Sequence, residues 1–321
     1  MFAMIHPPSR RAFLNSAASG LTALSFLQAS SMSATPLNLP IGLQLYTVGE
    51  QMDTDPFGTL KRIAAIGYKE VELSPLSKVP AKDLKKALDD EGLKNPSGHY
   101  MLPDLMANLQ RMTDLAHQFG QEYMIVTVPW VSDPSRIKQK PGTDQLAYFI
   151  ALIQSLTLDD WKWNAEQFNK IGEKIRKAGL QLGYHNHNFD FKRFGNTTGY
   201  DEFIRLTEPD LVKLELDCGW MTVAGQDPVT YLKRLPNRYR LLHIKDFHKG
   251  FTPTTTLMDK GPNAPVPTEL GRGAIDYHKI FAAARTVPIR AIFVEQEPPF
   301  KEMPAFEAIK VDYDYLESFH A

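Results

Sequence analysis

The sequence predicts a closed (β/α)8 barrel, in which eight parallel strands form a ring surrounded by helices. Beyond Pro40, short apolar runs alternate with longer amphipathic segments, and eight of the short runs have the composition of strands. Strands that alternate with helices indicate a parallel sheet. Eight such units fit a barrel, which typically takes about 250 residues. An open doubly wound sheet is the alternative, but no glycine-rich phosphate loop follows the first strand.

The predicted elements follow the chain in a regular order. The predicted strands are 41–46, 70–73, a short run ending at His99 and Tyr100, 122–128, the run from Leu180 to the histidines, 212–217, 241–244 and 291–294. The predicted helices are 56–66, 80–91, 102–119, 156–178, 228–235, 276–286 and one between 305 and 320. Glycine directly follows several of them, as is typical of helix C-termini.

Two long stretches interrupt this alternation. Residues 129–144 are rich in Pro, Asp and Lys, and residues 247–273 carry many prolines, glycines and threonines without helical periodicity. Loops of this length are uncommon unless they have a function. Both follow strands, so both are expected at the C-terminal rim of the barrel, where the active sites of such barrels lie.

The first 34 residues have the features of an export signal rather than of the barrel. Arg10 and Arg11 precede an apolar run at 17–27, and small residues follow it. The paired arginines resemble a twin-arginine signal. The apolar run is shorter than the roughly 20 residues of a membrane span, so no stable membrane insertion is expected. The sequence thus predicts a signal at 1–34, cleaved between Ala29 and Thr35, a barrel at 37–321 and a periplasmic or otherwise exported protein.

Composition points to a small-molecule partner. The chain has 321 residues, 43% of them hydrophobic, and a formal net charge of -1 with mixed charges. No basic stripe offers a surface to nucleic acid, so a nucleic-acid partner is not expected. Cys218 is the only cysteine, which excludes an intramolecular disulfide. A homo-oligomer remains open.

Polar and charged side chains collect where the predicted strands end. His185 and His187 are two residues apart, so they leave the same face of an extended chain. The other strand ends carry Gln44, Tyr46, Glu72, His99, Glu215, Asp217, His243, Lys245, Asp246, Glu295 and Glu297. A barrel brings these ends to one mouth, where His, Asp and Glu together suit a divalent cation such as Mn, Co, Fe or Zn.

Several motifs in order give the chain a family resemblance. They are Gly67-Tyr-Lys-Glu-Val-Glu-Leu73, Ser97-Gly-His-Tyr100, Tyr184-His-Asn-His187, Leu216-Asp217, Leu242-His-Ile-Lys-Asp246, Gly271-Arg-Gly-Ala-Ile-Asp276 and Val294-Glu-Gln-Glu297. With them the chain resembles the xylose isomerase-like barrels grouped as sugar phosphate isomerases/epimerases. The resemblance implies a sugar-acting enzyme with one divalent metal ion (Mn, Co, Zn, Fe or Mg) at the barrel mouth.

The same resemblance implies which residues bind the metal. Carried over by position, the ligands are His185, Asp217, His243 and Glu295, although Glu297 competes with Glu295. Isomerases and epimerases of the family have a glutamate at the fifth-strand position, and that glutamate also removes a substrate proton. His185 stands there in this chain. The substitution removes one of the two carboxylates that a two-base epimerisation requires.

A one-base reaction beside a metal therefore remains open, as isomerisation, elimination or hydration. Relatives with the Tyr-His-Asn-His form resemble dehydratases or lyases of keto-sugars and keto-inositols. A metal that contacts adjacent carbonyl and hydroxyl oxygens acidifies the neighbouring C–H and stabilises an enediolate. We expect a metal-dependent isomerase, epimerase or lyase of a sugar or keto-sugar.

Candidate groups for moving the proton are Lys245, His99, His187 and Glu295. Lys245 is favoured if the cation and burial lower the pKa of its amine, but it can also form an ion pair with Glu215 or Asp217. The side chains expected to contact the substrate are Gln44, Tyr46, Glu72, Trp220 and Arg272. Trp220 offers an apolar face for a sugar ring.

Two other classes of function compete. One is an exported sugar-binding protein with a non-catalytic metal site. The other is a metal-dependent phosphodiesterase that resembles the apurinic endonucleases, which use a three-metal cluster. The near-zero net charge argues against a nucleic-acid substrate.

Overall fold

The computed structural model describes residues 35–74, 79–138, 142, 144–298 and 300–319. The predicted export signal at 1–34 lies outside this part of the chain. Within the described ranges, no helix is both long enough and apolar enough to cross a membrane.

Eight parallel strands close into a ring, as predicted. They are β1 (Ile41–Gln44), β2 (Glu70–Leu73), β3 (Lys94–Tyr100), β4 (Tyr123–Val126), β5 (Gln181–His185), β6 (Val212–Asp217), β7 (Tyr239–Ile244) and β8 (Ala291–Val294). Each strand pairs in parallel with its sequence neighbours, and β1 pairs with β8 to complete the barrel. The open doubly wound alternative is therefore wrong.

The helices surround this ring. They are α1 (Gly49–Thr54), α2 (Pro56–Ile66), α3 (Ala81–Asp90), α4 (Leu102–Phe119), α5 (Gln145–Gln154), α6 (Leu158–Lys177), α7 (Gly199–Leu206), α8 (Cys218–Val223), α9 (Pro228–Arg234), α10 (Tyr277–Ala284) and α11 (Ala305–Glu317). The bounds of α2 and α4 are as predicted. The ends are well marked, since Asp55 caps the start of α2 and Gly120 ends α4 in the left-handed conformation.

Several features differ from the sequence prediction. The first strand ends at Gln44 rather than at Tyr46, because a 3-10 turn begins at Leu45. The helix α5 was not expected, because eight of its ten residues are apolar and show no polar face. The helices α1, α7 and α8 were also missed, although Thr198 caps the start of α7.

Both long loops are largely irregular in their described parts. In the second loop, Asp246–Phe247 pairs with Pro267–Thr268 as a short antiparallel ribbon. The buried Asp246 carboxylate accepts hydrogen bonds from the backbone N–H groups of Phe247, Gly273 and Ile275. A Cβ at Gly273 would collide with that carboxylate, so glycine is required where the loop returns. Asp246 thus fastens both ends of the loop.

Alternation along the strands divides the barrel interior into layers. Ile125, Leu241, Ala291 and Phe293 form an apolar cluster inside the ring. His243 follows Leu241 by two residues, and Glu295 follows Phe293 by two, so both point inward one layer closer to the mouth. The polar site therefore lies directly above this apolar layer, on the side of the barrel mouth.

Candidate active site

Four of the predicted residues come together at the mouth of the barrel. His185, Asp217, His243 and Glu295 each offer one ligand atom, and these atoms all lie within 4.8 Å of one another. The residues come from the ends of β5, β6, β7 and β8, as the resemblance implies. Glu297 is separate from this set and contacts Lys245 and Trp220. Of the two competing glutamates, Glu295 therefore belongs to the cluster.

The donor atoms of this cluster fit a divalent cation. Asp217 Oδ2 is buried and lies 3.6 Å from His185 Nε2 and 3.1 Å from Lys245 Nζ. His243 Nδ1 lies 3.1 Å from Glu295 Oε2. Two imidazoles and two carboxylates in a buried site are a common ligand set for Zn, Mn, Co and Fe.

A second set of polar groups lies against the other edges of the histidine rings. Glu72 Oε2 is 2.7 Å from His243 Nε2 and 2.8 Å from His99 Nε2. Glu215 Oε2 is 2.9 Å from His185 Nδ1 and 3.1 Å from His99 Nε2. We call Glu72, His99 and Glu215 the site floor. Each ligand histidine thus has a floor carboxylate on its second nitrogen.

The floor corrects three expectations about substrate and proton contacts. Gln44 and Glu72 are fully buried, and Gln44 donates to the Glu72 carboxylate. Ser97 donates to the other oxygen of that carboxylate. Their polar atoms are occupied beneath the histidines, so they do not line the mouth. His99 is also buried there, between the Glu72 and Glu215 carboxylates.

Electrostatic attraction between His99 and the two carboxylates stabilises the site floor. Burial alone would lower the pKa of His99, but the carboxylates of Glu72 and Glu215 raise it to about 9. Burial would raise the pKa of Glu72, yet His99 and His243 hold it well below its usual range. Burial, helped by Glu72, raises the pKa of Glu215 to about 7. His99 therefore serves as the cation between two buried acids.

The four residues of the cluster also have shifted pKa values. Burial lowers the pKa of His185, and neighbouring His243 adds to this effect. Burial raises the pKa of Asp217 to about 6, against the effect of Lys245. For Glu295 the effects of Lys245 and His243 exceed that of burial and lower the pKa. For His243, the Glu215 and Glu295 carboxylates exceed the effect of burial and raise it.

Lys245 reaches the same cluster from the end of β7. Its Nζ lies 3.1 Å from Asp217, 2.5 Å from Glu295 and 2.9 Å from Glu297. Burial opposes the charge, but these carboxylates raise the pKa of Lys245 well above its usual value. The expectation of a lowered pKa is wrong in this surrounding, because three acids converge on the amine. The expected pairing with Asp217 is present, whereas Glu215 faces the histidines instead.

The rim of the mouth is aromatic. Trp220 donates from Nε1 to Glu297 at 3.2 Å and lies 6.2 Å from the His187 ring. His187 is partly exposed, lies 4.9 Å from the His185 ring and stacks on Phe189. Burial lowers the pKa of His187 to about 3, with a further contribution from Lys245. Its ring is therefore neutral near pH 7.

Tyr46 and Arg272 are the two most exposed of the predicted site residues. Partial burial raises the pKa of Tyr46, and the negative charges of Glu297 and Glu295 add to this effect. Tyr46 therefore lies near enough to these two carboxylates to interact with them. Arg272 Nη1 lies 3.1 Å from Glu269 and 3.7 Å from Glu302. Its recorded charge partners are the buried Glu269 and the exposed Glu302, neither of which belongs to the cluster, so the structure gives no support for a substrate contact by Arg272.

Asparagines in the Tyr-His-Asn-His-Asn segment connect the histidines to neighbouring strands. Asn186 exchanges two hydrogen bonds with the backbone of Asp217, at 3.2 and 3.0 Å. Asn188 donates to the backbone oxygens of Thr254 and Thr256, which ties the long second loop to the histidine segment. These side chains point away from the histidines because residues alternate in an extended chain.

Sequence reasoning gave Asn186 no role in the site, and it gave Glu215 only a place at a strand end and a possible ion pair with Lys245. The alternation in Val212–Asp217 places Glu215 on the same face as Asp217, and that signal could have identified it. For Asn186 the signal was weaker, because its partner is a backbone group on another strand.

The chain is similar in sequence to known dehydratases. The inosose dehydratase of Lacticaseibacillus casei is 27% identical over 192 residues, which cover 56% of this chain and 59% of that protein. The inosose dehydratase of Clostridium botulinum is 24% identical over 233 residues, or 69% of this chain and 75% of that protein. The match to the first relative thus covers less than two thirds of its length.

Similarity to a solved structure extends over more of the chain. A sugar phosphate isomerase/epimerase from Parabacteroides distasonis has 27% identity and a TM-score of 0.66, covering 87% of this chain and 94% of that one. The family model described as xylose isomerase-like TIM barrel matches residues 60–318. These matches confirm the resemblance read from the motifs, and the chain belongs to the xylose isomerase-like TIM barrel family.

Proposed function

We propose that this protein is a divalent-metal-dependent enzyme that eliminates water from an uncharged keto-sugar or keto-inositol. The observation that carries the proposal is the cluster of His185, Asp217, His243 and Glu295 at the barrel mouth. When bound there, a divalent cation would polarise the substrate carbonyl and stabilise the negative charge that develops on it.

The charges around the mouth favour an uncharged substrate. Lys245 is already paired with three carboxylates, and Arg272 is paired with Glu269 and Glu302. A phosphate group would need cations that are free to pair with it. Trp220 and His187 instead present ring surfaces at the mouth, which suit the apolar face of a sugar or an inositol.

Two side chains are placed to move protons. His187 is neutral, partly exposed and adjacent to the ligand His185, and its buried Nδ1 has no hydrogen-bond partner. Lys245 carries an ammonium group beside Asp217 and Glu295. We assign His187 to remove the proton from the carbon next to the carbonyl. Lys245 then donates a proton to the hydroxyl that leaves the next carbon, and the products are an unsaturated ketone and water.

Elimination is favoured over epimerisation by the residues present. A two-base epimerisation needs a second base on the opposite face of the carbon, and His185 replaces the carboxylate that serves there in the isomerases and epimerases which the chain resembles. The similarity to two inosose dehydratases supports the same choice. Isomerisation of a sugar is the second candidate, since a sugar phosphate isomerase/epimerase is similar over most of this chain.

Deuterium exchange tests the reaction. The protein is loaded with Mn, Co or Zn and incubated in D2O with free sugars, 3-keto-sugars and a keto-inositol, and NMR follows each substrate. We expect loss of water from a keto substrate, with deuterium entering the unreacted substrate next to the carbonyl because proton removal is reversible. His243→Ala should abolish the reaction, whereas Arg272→Ala should retain it.

The outcomes separate the competing functions. Net conversion to an isomeric sugar would favour isomerisation over elimination. Binding of sugar and metal without exchange in any substrate would favour a sugar-binding protein. Salt-sensitive DNA binding with cleavage at abasic sites would favour an endonuclease.

We also propose that residues 1–34 direct export and are removed, which would place the enzyme in the periplasm or outside the cell. The paired arginines and the following apolar run support this proposal. Mass spectrometry of the protein from a periplasmic fraction tests it. The expected N-terminus lies between Ala29 and Thr35, and a retained Met1 would contradict cleavage.

A further inference from the structure

We infer that Glu215 is a positioning residue for the metal ligand His185, holding its ring so that Nε2 faces the metal. The inference rests on the proposed metal site but concerns a residue outside the four ligands. It assigns a purpose to a fully buried carboxylate that the proposed reaction does not otherwise use.

The two nitrogens of His185 face different groups. Nδ1 lies 2.9 Å from Glu215 Oε2, whereas Nε2 lies on the side of Asp217 Oδ2, at 3.6 Å. A carboxylate accepts hydrogen bonds, so the proton of the neutral ring belongs on Nδ1. The lone pair of Nε2 is then directed toward Asp217, where the ligand atoms converge. Histidines that bind metals commonly donate their other N–H to a carboxylate in this way.

Glu215 is itself rigidly held. It lies in β6, two residues before the ligand Asp217, and its partner strand β5 carries His185 directly opposite. Its shortest recorded contact to a histidine is the one to His185, since His99 Nε2 is 3.1 Å and His243 Nε2 is 3.3 Å away. A charge fixed behind the ring makes Nε2 a stronger donor to a cation.

A direct metal contact by Glu215 is the competing possibility. His99, His185, Glu215 and His243 also have one ligand atom each within 4.8 Å of one another. That set shares His185 and His243 with the first, and a neutral imidazole ring has only one lone pair for a metal. The set would also take His99 away from Glu72, which lies only 2.8 Å from it.

Cobalt affinity tests the inference without using turnover. The apo-protein is titrated with Co2+ in competition with a chelating dye. We expect Glu215→Gln to weaken Co2+ binding by about 10-fold to 100-fold, the usual effect of removing such a partner. Glu215→Leu, which removes the acceptor as well as the charge, should weaken it at least as much. Glu70→Gln is the matched control. Glu70 is also a buried carboxylate, but it lies at the N-terminal end of β2 and pairs with Arg290.

Nitrogen-15 NMR of labelled histidine gives a second readout that does not depend on the metal. The chain has nine histidines, and a His185→Asn variant identifies the signal of His185. We expect the proton on Nδ1 in the wild type and a loss of that preference in Glu215→Leu. This measurement also applies if a variant has reduced stability but remains folded.

Several results would overturn the inference. Unchanged Co2+ affinity in both Glu215 variants would do so, as would a His185 proton on Nε2 in the wild type. A loss in Glu215→Gln as large as that in His185→Asn, with an altered cobalt absorption spectrum, would make Glu215 a ligand instead. If the wild type fails to bind Co2+ at all, the proposed metal-dependent function fails as well.

Discussion

The Asn186 side chain forms two hydrogen bonds with the backbone of Asp217 and so joins the ends of β5 and β6. Asn186 Nδ2 donates to the Asp217 backbone oxygen at 3.2 Å, and the Asp217 N–H donates to Asn186 Oδ1 at 3.0 Å. Both residues are fully buried. The amide thus fixes the backbone of one proposed metal ligand relative to the strand that carries another, His185.

We expect Asn186→Ala to weaken metal binding as well as stability. Two buried backbone groups lose their partner, which costs about 1–3 kcal/mol of unfolding free energy. The displaced Asp217 backbone should also reduce Co2+ affinity. Asn169→Ala is the control, because Asn169 makes the same kind of bridge outside the barrel, to Leu206 and Glu208. Urea unfolding and Co2+ titration of both variants check this, and equal losses of affinity would contradict it.

Lys245→Met should separate metal binding from turnover. The ammonium group and the proposed cation share Asp217 and Glu295, so removing the ammonium relieves a competing positive charge. We expect Co2+ affinity to stay the same or to increase, while kcat falls by about 100-fold because the proton donor is gone. Lys213→Met serves as the control, because Lys213 also lies on a barrel strand but its recorded ion pair is with Asp210 and not with the cluster. A variant with full kcat would remove Lys245 from the reaction.

Asp312 gives the stability a pH dependence unrelated to the metal. Its carboxylate is buried, accepts from Leu270 N–H and Gln296 Nε2, and burial raises its pKa to about 8. The unfolded value is about 3.9, so the folded state holds the proton more tightly. The stability from this group is therefore complete below about pH 4 and is lost as the pH rises through about 8.

Asp312→Asn should remove that loss. The amide stays neutral, so at pH 9 the variant should exceed the wild type in unfolding free energy by at least about 1.4 kcal/mol, the equivalent of one pKa unit. At pH 4 the two should be nearly equal. Urea unfolding at both values measures the difference. A wild type that is the more stable at pH 9 would be the contrary result.

The barrel could be predicted from local patterns. Strand β8 and helix α2 have the predicted bounds because their apolar spacing is clear, and Gly67 ends α2. Helix α5 was missed because periodicity is lost in a segment that is apolar nearly throughout. Local patterns thus identify elements that have one polar face, and they fail where both faces are apolar.

The depth of site residues could not be predicted. Glu72 and His99 stand at strand ends in the sequence, yet they lie beneath the ligand histidines. The stagger of neighbouring strands sets this depth, and the pairing of β2 with β3 shifts register between Glu70 and Glu72. The pKa of Lys245 was missed for a similar reason, because Asp217, Glu295 and Glu297 converge on it from two other strands.

Metal analysis of the purified protein tests the central proposal most directly. Three proteins are compared: the wild type, Asp217→Asn and His243→Ala. Each is dialysed against Mn, Co or Zn, freed of excess metal, and its metal content is measured by elemental mass spectrometry. We predict one divalent cation per chain in the wild type and loss of that cation in both variants. A wild type without bound metal, or variants that keep as much metal as the wild type, would contradict the proposed metal centre.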